Sequence, residues 1–400
     1  MIELDDISRI GFGAYRVSVR SPQHGAALVH ALRAGCTLVD TASTYTGGES
    51  EQLIGKVVRE CPELDFFLVT KAGYPVSPDA AHCLAPDFLR ARLQESIDRV
   101  GRDRIDGMLL HNPENSFGDD YSEFGIDRFD GLIRHAFEFL EDMVEKGLIR
   151  YWGVSSNTLN PAPDGGTQVE LQRLLDIAGD VSVDHHFRLL EFPFNLLESG
   201  VAQPDPTESA LSLARRSGLR TIGNRPLNAR HASGQVRLAT YDAESRHCER
   251  MTAERTLEQF LDLIDSRLAA LGKSDVALDF TVIKFLHDAW PTLNDPDLVH
   301  AVFRERLAPF IDCLHPDGVP AEERRFLARF EQFAAANARK NMSDATSRLR
   351  ARLEREGTIV PGDPRAMAEI AIAHCLDAGV QHVLVGMRQP AYVDALARYL

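Results

Sequence analysis

Apolar positions along this chain follow two rhythms. Between residues 129 and 146 they fall at Leu132, Ile133, Ala136, Phe137, Leu140 and Val144, the spacing of one helix face. Elsewhere they form short β-branched or apolar runs bounded by turns, which read as strands. The runs are Thr37–Asp40, Phe66–Thr70, Ile105–Leu110, Tyr151–Val154, Val181–Leu189 and Leu219–Gly223. Helical segments are predicted between them at 23–34, 49–60, 86–100, 129–146, 167–178 and 207–217. Gly35, Gly101, Gly147 and Gly218 each follow such a helix, where a left-handed cap is wanted. Strands alternating with helices predict parallel βαβ units.

The alternation returns near the C-terminus, with a helix over Pro364–Ala378, a strand over Gln381–Val385 and a last helix over Pro390–Leu400. A strand within Ile7–Gly13 brings the count to eight. The expected fold class is therefore α/β, a closed (β/α)8 TIM barrel formed by residues 1–228 and 364–400. Residues 229–363 break the pattern, with no convincing strand and a helical stripe at Leu257, Phe260, Leu261, Ile264, Leu268 and Leu271. Further helices are predicted at 274–289, 295–314 and 321–356. This all-α insertion follows strand 7, and βα loops lie on the catalytic face of a barrel. It is expected to flank the site, or else to serve self-association.

Charge and composition narrow the function. A net charge of −15 repels phosphate backbones, so a nucleic-acid partner is not expected. The arginines near the end of 321–356 sit among acidic neighbours and read as a solvated face. No apolar run approaches the roughly 18 residues of a membrane helix. Residues Met1–Asp6 lack a secretory h-region, and the six scattered cysteines form no C-x-x-C pair, which points to a reducing cytoplasm. No zinc spacing, P-loop or nucleophile elbow occurs, His185 and His186 have no partners at metal spacing, and no metal is expected.

Four polar residues stand at or just beyond strand ends that a barrel brings to one face: Asp40, Tyr45, Lys71 and His111. Singly, each has an ordinary reading as a turn, packing or solvated residue. Together they suit proton donation to a carbonyl. An ammonium lowers the pKa of a neighbouring phenol, a carboxylate keeps the ammonium charged, and a histidine orients the carbonyl oxygen.

The motifs around them resemble those of the aldo-keto reductase superfamily. They are Gly11-Phe12-Gly13-Ala14-Tyr15-Arg16, Val39-Asp40-Thr41-Ala42-Ser43-Thr44-Tyr45, Leu68-Val69-Thr70-Lys71, Leu109-Leu110-His111-Asn112-Pro113 and Tyr151-Trp152-Gly153-Val154-Ser155-Ser156-Asn157. The resemblance implies a catalytic tetrad of Asp40, Tyr45, Lys71 and His111, with Tyr45 as general acid or base. It implies NADPH as cofactor, with NADH less common, and a small carbonyl or alcohol as substrate. Gly13, Ala14, Asp40, Ser155, Ser156 and Asn157 fall at positions that line the cofactor, and Tyr15 and Asn112 beside the substrate.

Three departures from the family pattern stand out. The usual glutamine on strand 6 is Glu191. The usual serine before Pro226-Leu227 is replaced by Asn224-Arg225, where Arg225 suits either a cofactor phosphate or a structural partner in the insertion. The adenosine motif keeps Gly386 and Arg388, the latter suited to a 2′-phosphate, but has Tyr392 and Ala395-Leu396 where a basic residue and a Glu-Asn pair are usual. The expected activity is NADP(H)-dependent reduction of an aldehyde or ketone, or oxidation of an alcohol or sugar. A nucleotide-sensing scaffold and a non-redox proton-transfer enzyme remain as alternatives. The insertion is also expected to take the place of the family's C-terminal pocket loop, and homo-oligomers through it are allowed for.

Overall fold

A computed structural model describes residues 2–75, 81–116, 123–159, 169–203, 208–231, 234–240, 250–271, 280–290, 292–315 and 317–400. Eight parallel strands close into a barrel: β1 Ile10–Gly13, β2 Leu38–Asp40, β3 Phe67–Ala72, β4 Ile105–His111, β5 Ile149–Ser155, β6 Phe187–Pro193, β7 Arg220–Asn224 and, from the C-terminus, β10 His382–Val385. The strand order around the barrel is β1-β10-β7-β6-β5-β4-β3-β2. Between the strands run α1 Pro22–Arg33, α2 Glu49–Glu60, α3 Pro86–Val100, α4 Glu123–Glu145, α5 Leu171–Val181 and α6 Ala210–Arg216.

One expected strand is displaced. The strand placed at Val181–Leu189 lies at Phe187–Pro193, and Val181 instead ends α5. Val183 is exposed to solvent, so the apolar run there is not a core strand. The true strand contains Glu191, a buried carboxylate that interrupts its apolar pattern. The expectation of no convincing strand within residues 229–363 fails. β8 Asn228–His231 and β9 Gly234–Arg237 form a two-stranded sheet of their own.

The barrel interior is filled from several strands at once, by Leu38, Phe67, Val69, Leu109, Leu189, Ile222 and Leu384, with Ile7 below them. Glycines make the room. A Cβ on Gly107 would lie 2.4 Å from Leu189 Cδ1, and one on Gly153 only 1.9 Å from the Leu189 carbonyl oxygen. The β5–β6 register shifts between Trp152 and Gly153, where the two backbones approach. Outside this layer, Trp152 stacks on Phe187 at 4.9 Å and against Phe137 of α4 at 4.4 Å. Its indole N–H donates to Glu141, and Glu141 also receives the backbone N–H of His186. His186 is thus tied into this packing.

The described chain divides into two compact units, Met1–Gln235 with Glu369–Leu400, and Val236–Ala368. The first also holds α12 Met367–Asp377, apart from its first two residues, and the short α13 Pro390–Asp394. The second contains α7 Arg250–Leu271, α8 Thr281–Ala289, α9 Pro296–Val302, a π-helical turn at Phe303–Leu307, α10 Ala308–Leu314 and α11 Ala321–Arg355. Its core is aromatic: Phe330 meets Phe260, Trp290 and Phe303 at 4.5–5.4 Å. Asn337 and Asn341 of α11 donate to the carbonyls of Trp290 and Leu293. The parts of the expected helices at 167–168, 207 and 274–279 lie outside the described residues. Among the described residues no helix is long and apolar enough to cross a membrane.

Gly153→Ala is expected to lower stability by about 3 kcal/mol, because its new methyl meets backbone that cannot step aside. Gly131→Ala, in α4 with open space around it, should be neutral or stabilising by about 0.5–1 kcal/mol. Thermal denaturation of the two variants beside the parent checks both, and a small loss at Gly153 would mean the close approach is not real.

Candidate active site

The strand ends of the barrel are knitted together by backbone bonds that continue past the strands themselves. Ala14 N–H donates to Asp40 O, Thr41 to Val69, Ser43 to Lys71, Asn112 to Ser155, Ser156 to Glu191 and Phe194 to Asn224, at 2.7–3.1 Å. Among the described residues, three non-glycines have a left-handed backbone: Thr46 at φ 52°, Asn112 at φ 52° and Arg225 at φ 53°. Each directly follows a residue of interest, namely Tyr45, His111 and Asn224. Strain of this kind costs roughly 1–3 kcal/mol per residue and persists where surrounding structure imposes it. All three sit in loops on one face of the barrel.

Lys71 lies at the centre of that face and is fully buried. Its ammonium donates to Asp40 Oδ1, to the Thr41 carbonyl at 3.1 Å and to the Tyr45 hydroxyl at 3.4 Å. A second carboxylate, Glu191 Oε2, stands 3.2 Å away. The other Glu191 oxygen accepts from the Asn224 amide at 2.7 Å. The Tyr45 ring meets His111 edge-on at 5.9 Å and Tyr15 at 5.1 Å. Asp40, Tyr45, Lys71 and His111 are therefore brought together, as their strand positions predict, and Tyr15 covers them from an exposed position.

Burial sets the proton affinities here. It pushes the Tyr45 hydroxyl above its ordinary value, and Lys71 opposes that shift without reversing it. The expectation of a net lowered phenol pKa is thus corrected: burial costs the phenolate part of its water, and that outweighs the ammonium beside it. Burial also lowers the His111 imidazole well below its usual range, and the Lys71 charge adds to this, so His111 is neutral. For Lys71, burial pulls downward, but the Asp40 and Glu191 charges prevail and hold it protonated.

The remaining sequence candidates fall around this cluster. Ser155 and Ser156 are buried at the end of β5, and Asn157 donates to Asn112 Oδ1 at 3.0 Å. Asn112 in turn donates to Tyr74 at 2.9 Å. Gly13 ends β1 and Ala14 is buried beside Asp40. Gly386 follows β10, where a side chain would meet only open space, and Arg388 lies two residues further on. Pro226 is buried and Leu227 half-buried in the loop after β7. Arg225 is bound at 2.9 Å to Glu198, in the loop after β6, so its partner in the structure is within the barrel unit. A phosphate would have to compete with that carboxylate.

Sequence reasoning missed several residues of this face. Tyr74 packs edge-on against His111 at 5.0 Å, and His82 bridges Ser116 and the His111 carbonyl at 2.6 and 2.8 Å. Buried Glu114 receives the Asn157 N–H at 2.7 Å. Tyr74 was readable as an aromatic just beyond strand 3. His82 and Glu114 carried no signal, because their partners come from other loops. Among the described residues no group of three His, Cys, Asp or Glu side chains is placed to hold a metal.

Comparison with known proteins agrees with this architecture. The sequence profile of the aldo/keto reductase family matches residues 9–261. The chain belongs to the aldo/keto reductase family. Two relatives are an NADP(+) aldo-keto reductase of Schizosaccharomyces pombe, 30% identical over 42% of this chain and 49% of that one, and a 6-dehydroglucose reductase of Novosphingobium aromaticivorans, 31% identical over 38% and 48%. The chain spans about half the length of these curated relatives. A glycerol dehydrogenase from Gluconobacter oxydans shares the fold over 98% of this chain and 86% of its own, with a TM-score of 0.50 at 16% identity.

Lys71→Met would leave two carboxyls buried without their cation. The expected loss is about 3–5 kcal/mol near neutral pH. Of these carboxyls Asp40 is already raised by burial and by the Glu191 charge, and it would lose the Lys71 charge that opposes that rise. The folded state is favoured below the ordinary carboxylate range near pH 4 and penalised as pH rises through it. The deficit against the parent should therefore shrink in acid, which denaturant titrations from about pH 4 to 8 would show. A constant deficit would mean the carboxylates do not depend on Lys71.

Proposed function

We propose that this protein is an NADP(H)-dependent oxidoreductase that reduces an aldehyde or ketone, or oxidises the matching alcohol or sugar. The observation that carries this reading is the enclosed ammonium of Lys71, held between Asp40 and the Tyr45 hydroxyl, with neutral His111 beside the same ring. No structural demand brings these four side chains into one buried cluster at the end of a barrel.

The residues fit a nicotinamide nucleotide in two respects. Asn224 Oδ1 is a buried acceptor with no partner, of the kind an amide N–H satisfies, and it stands against Glu191 on the wall beside Ser155 and Ser156. Gly386 leaves open space after β10, and Arg388 suits a 2′-phosphate. Gly13, Ala14, Ser155, Ser156, Asn157, Pro226 and Leu227 would line the remainder. NADPH is preferred on the strength of Arg388. When bound, the dihydronicotinamide supplies hydride.

The proton chemistry belongs to the chain itself. The carbonyl oxygen is oriented by neutral His111, which donates without bringing a full charge. Tyr45 keeps its proton because burial disfavours its phenolate, and it gives that proton up as negative charge develops on the carbonyl oxygen. Lys71 stabilises the phenolate left behind. Rising pH favours the opposite direction, in which the Tyr45 oxygen takes the proton of an alcohol.

Fluorescence titration with NADPH and with NADH tests the cofactor, and a panel of carbonyl compounds tests the reaction. NADPH is expected to bind more tightly than NADH. Tyr45→Phe should lower kcat by about 100-fold or more while the nucleotide Kd changes little. Equal losses of binding and turnover would remove Tyr45 from the acid role. Binding of neither nucleotide would sink the redox reading and favour proton transfer without one.

A further inference from the structure

Glu191 places a second carboxylate against Lys71, and the hydrogen-bond count there does not close. The three protons of the ammonium go to Asp40, the Thr41 carbonyl and the Tyr45 hydroxyl. Glu191 Oε2 is within ion-pair distance at 3.2 Å, yet it is buried and receives no hydrogen bond. Its other oxygen is held by Asn224. Glu191, Asp40 and Lys71 are respectively 1%, 4% and 0% exposed, so water does not serve the free oxygen.

The charges do not close either. Two carboxylates and one ammonium leave an excess negative charge in an enclosed place. The other groups facing it do not cancel it. Tyr45 and His111 are neutral, the strand neighbours of Glu191 are Ser155 and Ile222, and Arg225 is spent on Glu198. An uncompensated buried carboxylate takes up a proton more cheaply than it stays ionised.

We propose that Asp40 keeps its proton beside Lys71 and donates it to the free Glu191 oxygen, a buried proton store that this chain has and that a glutamine at position 191 would abolish. In keeping with it, burial first and the Glu191 charge second raise the Asp40 carboxyl well above the usual range. The proton satisfies the free Glu191 oxygen and removes the excess charge. It also gives the site a place for the proton of an oxidised alcohol. As the Tyr45 oxygen takes the alcohol proton, Tyr45 passes its own to Lys71, and Lys71 passes one of its three to the ionised carboxyl pair. Each group ends with the proton count it began with, except the pair, which gains one. No free phenolate has to persist. Because this use of the store rests on the redox reading above, a second consequence follows there. The positive charge of NADP+ supplies the missing cation and expels the stored proton, whereas NADPH does not.

Infrared difference spectroscopy of the nucleotide-free protein tests the store directly. At pH 7 the parent is expected to show a protonated-carboxyl C=O band that is absent in Glu191→Gln, where Asp40 alone faces Lys71 and is ionised. Identical spectra in that region would overturn the proposal. Binding measurements on the parent keep it testable if the variant does not fold. NADP+ affinity should rise by up to about tenfold per pH unit relative to NADPH, with proton release in calorimetry that NADPH binding lacks. The comparison cancels the phosphate that both nucleotides carry. Equal pH dependence for the two would overturn the store. If neither nucleotide binds, the redox reading fails by itself, and the infrared comparison alone decides the proton store.

Discussion

The buried ammonium of Lys71 is the constraint around which this barrel end is organised. A cation with no access to water has to be surrounded by acceptors, and four groups from two strands and the loop after β2 converge on it. Each must arrive at a set depth, so the strands cannot slide past one another without losing a partner. The tight β5–β6 approach at Gly153 and the backbone bonds that run past the strand ends serve the same requirement. Further support lies one layer out. Glu51 of α2, itself buried, accepts from Thr70 and Arg99, and Arg99 also donates to the Ser43 carbonyl. That network braces the segment from Asp40 to Tyr45 from behind.

Much of this was legible in the sequence, for reasons that differ by residue. Asp40, Lys71 and His111 end short apolar runs, and a closed parallel barrel leaves no choice about which face such ends share. Helices such as Glu49–Glu60 and Pro86–Val100 were readable from their apolar periodicity, the second also from Pro86 at its start and the left-handed Gly101 at its end. The strand carrying Glu191 was misplaced because the same carboxylate that matters to the site breaks the apolar run that marks a strand. The hairpin at 228–237 was missed because four-residue strands carry too little periodic signal to separate from loop. The raised Tyr45 pKa was out of reach, since enclosure is a property of the closed barrel and not of the residues listed along it. Likewise Arg225 offered two partners on paper, and only the folded loop shows that Glu198 holds it.

The thiols show the limit of composition in another way. Cys36, Cys61, Cys83, Cys313 and Cys375 are all free, and Cys248 lies outside the described residues. Cys36 and Cys375 are buried, where desolvation raises their pKa to about 11 and about 12. They behave as small apolar side chains, with the reactivity of a thiolate suppressed.

The two tryptophans fall one in each compact unit, Trp152 stacked on Phe187 in the barrel and Trp290 on Phe330 among the helices. Both indoles are buried. The molecule therefore carries one intrinsic fluorophore per core. Replacing either with phenylalanine yields a protein whose emission follows the melting of the other core alone. Whether the helical unit and the barrel unfold as one cooperative body or as two then becomes an optical question, answerable without any label.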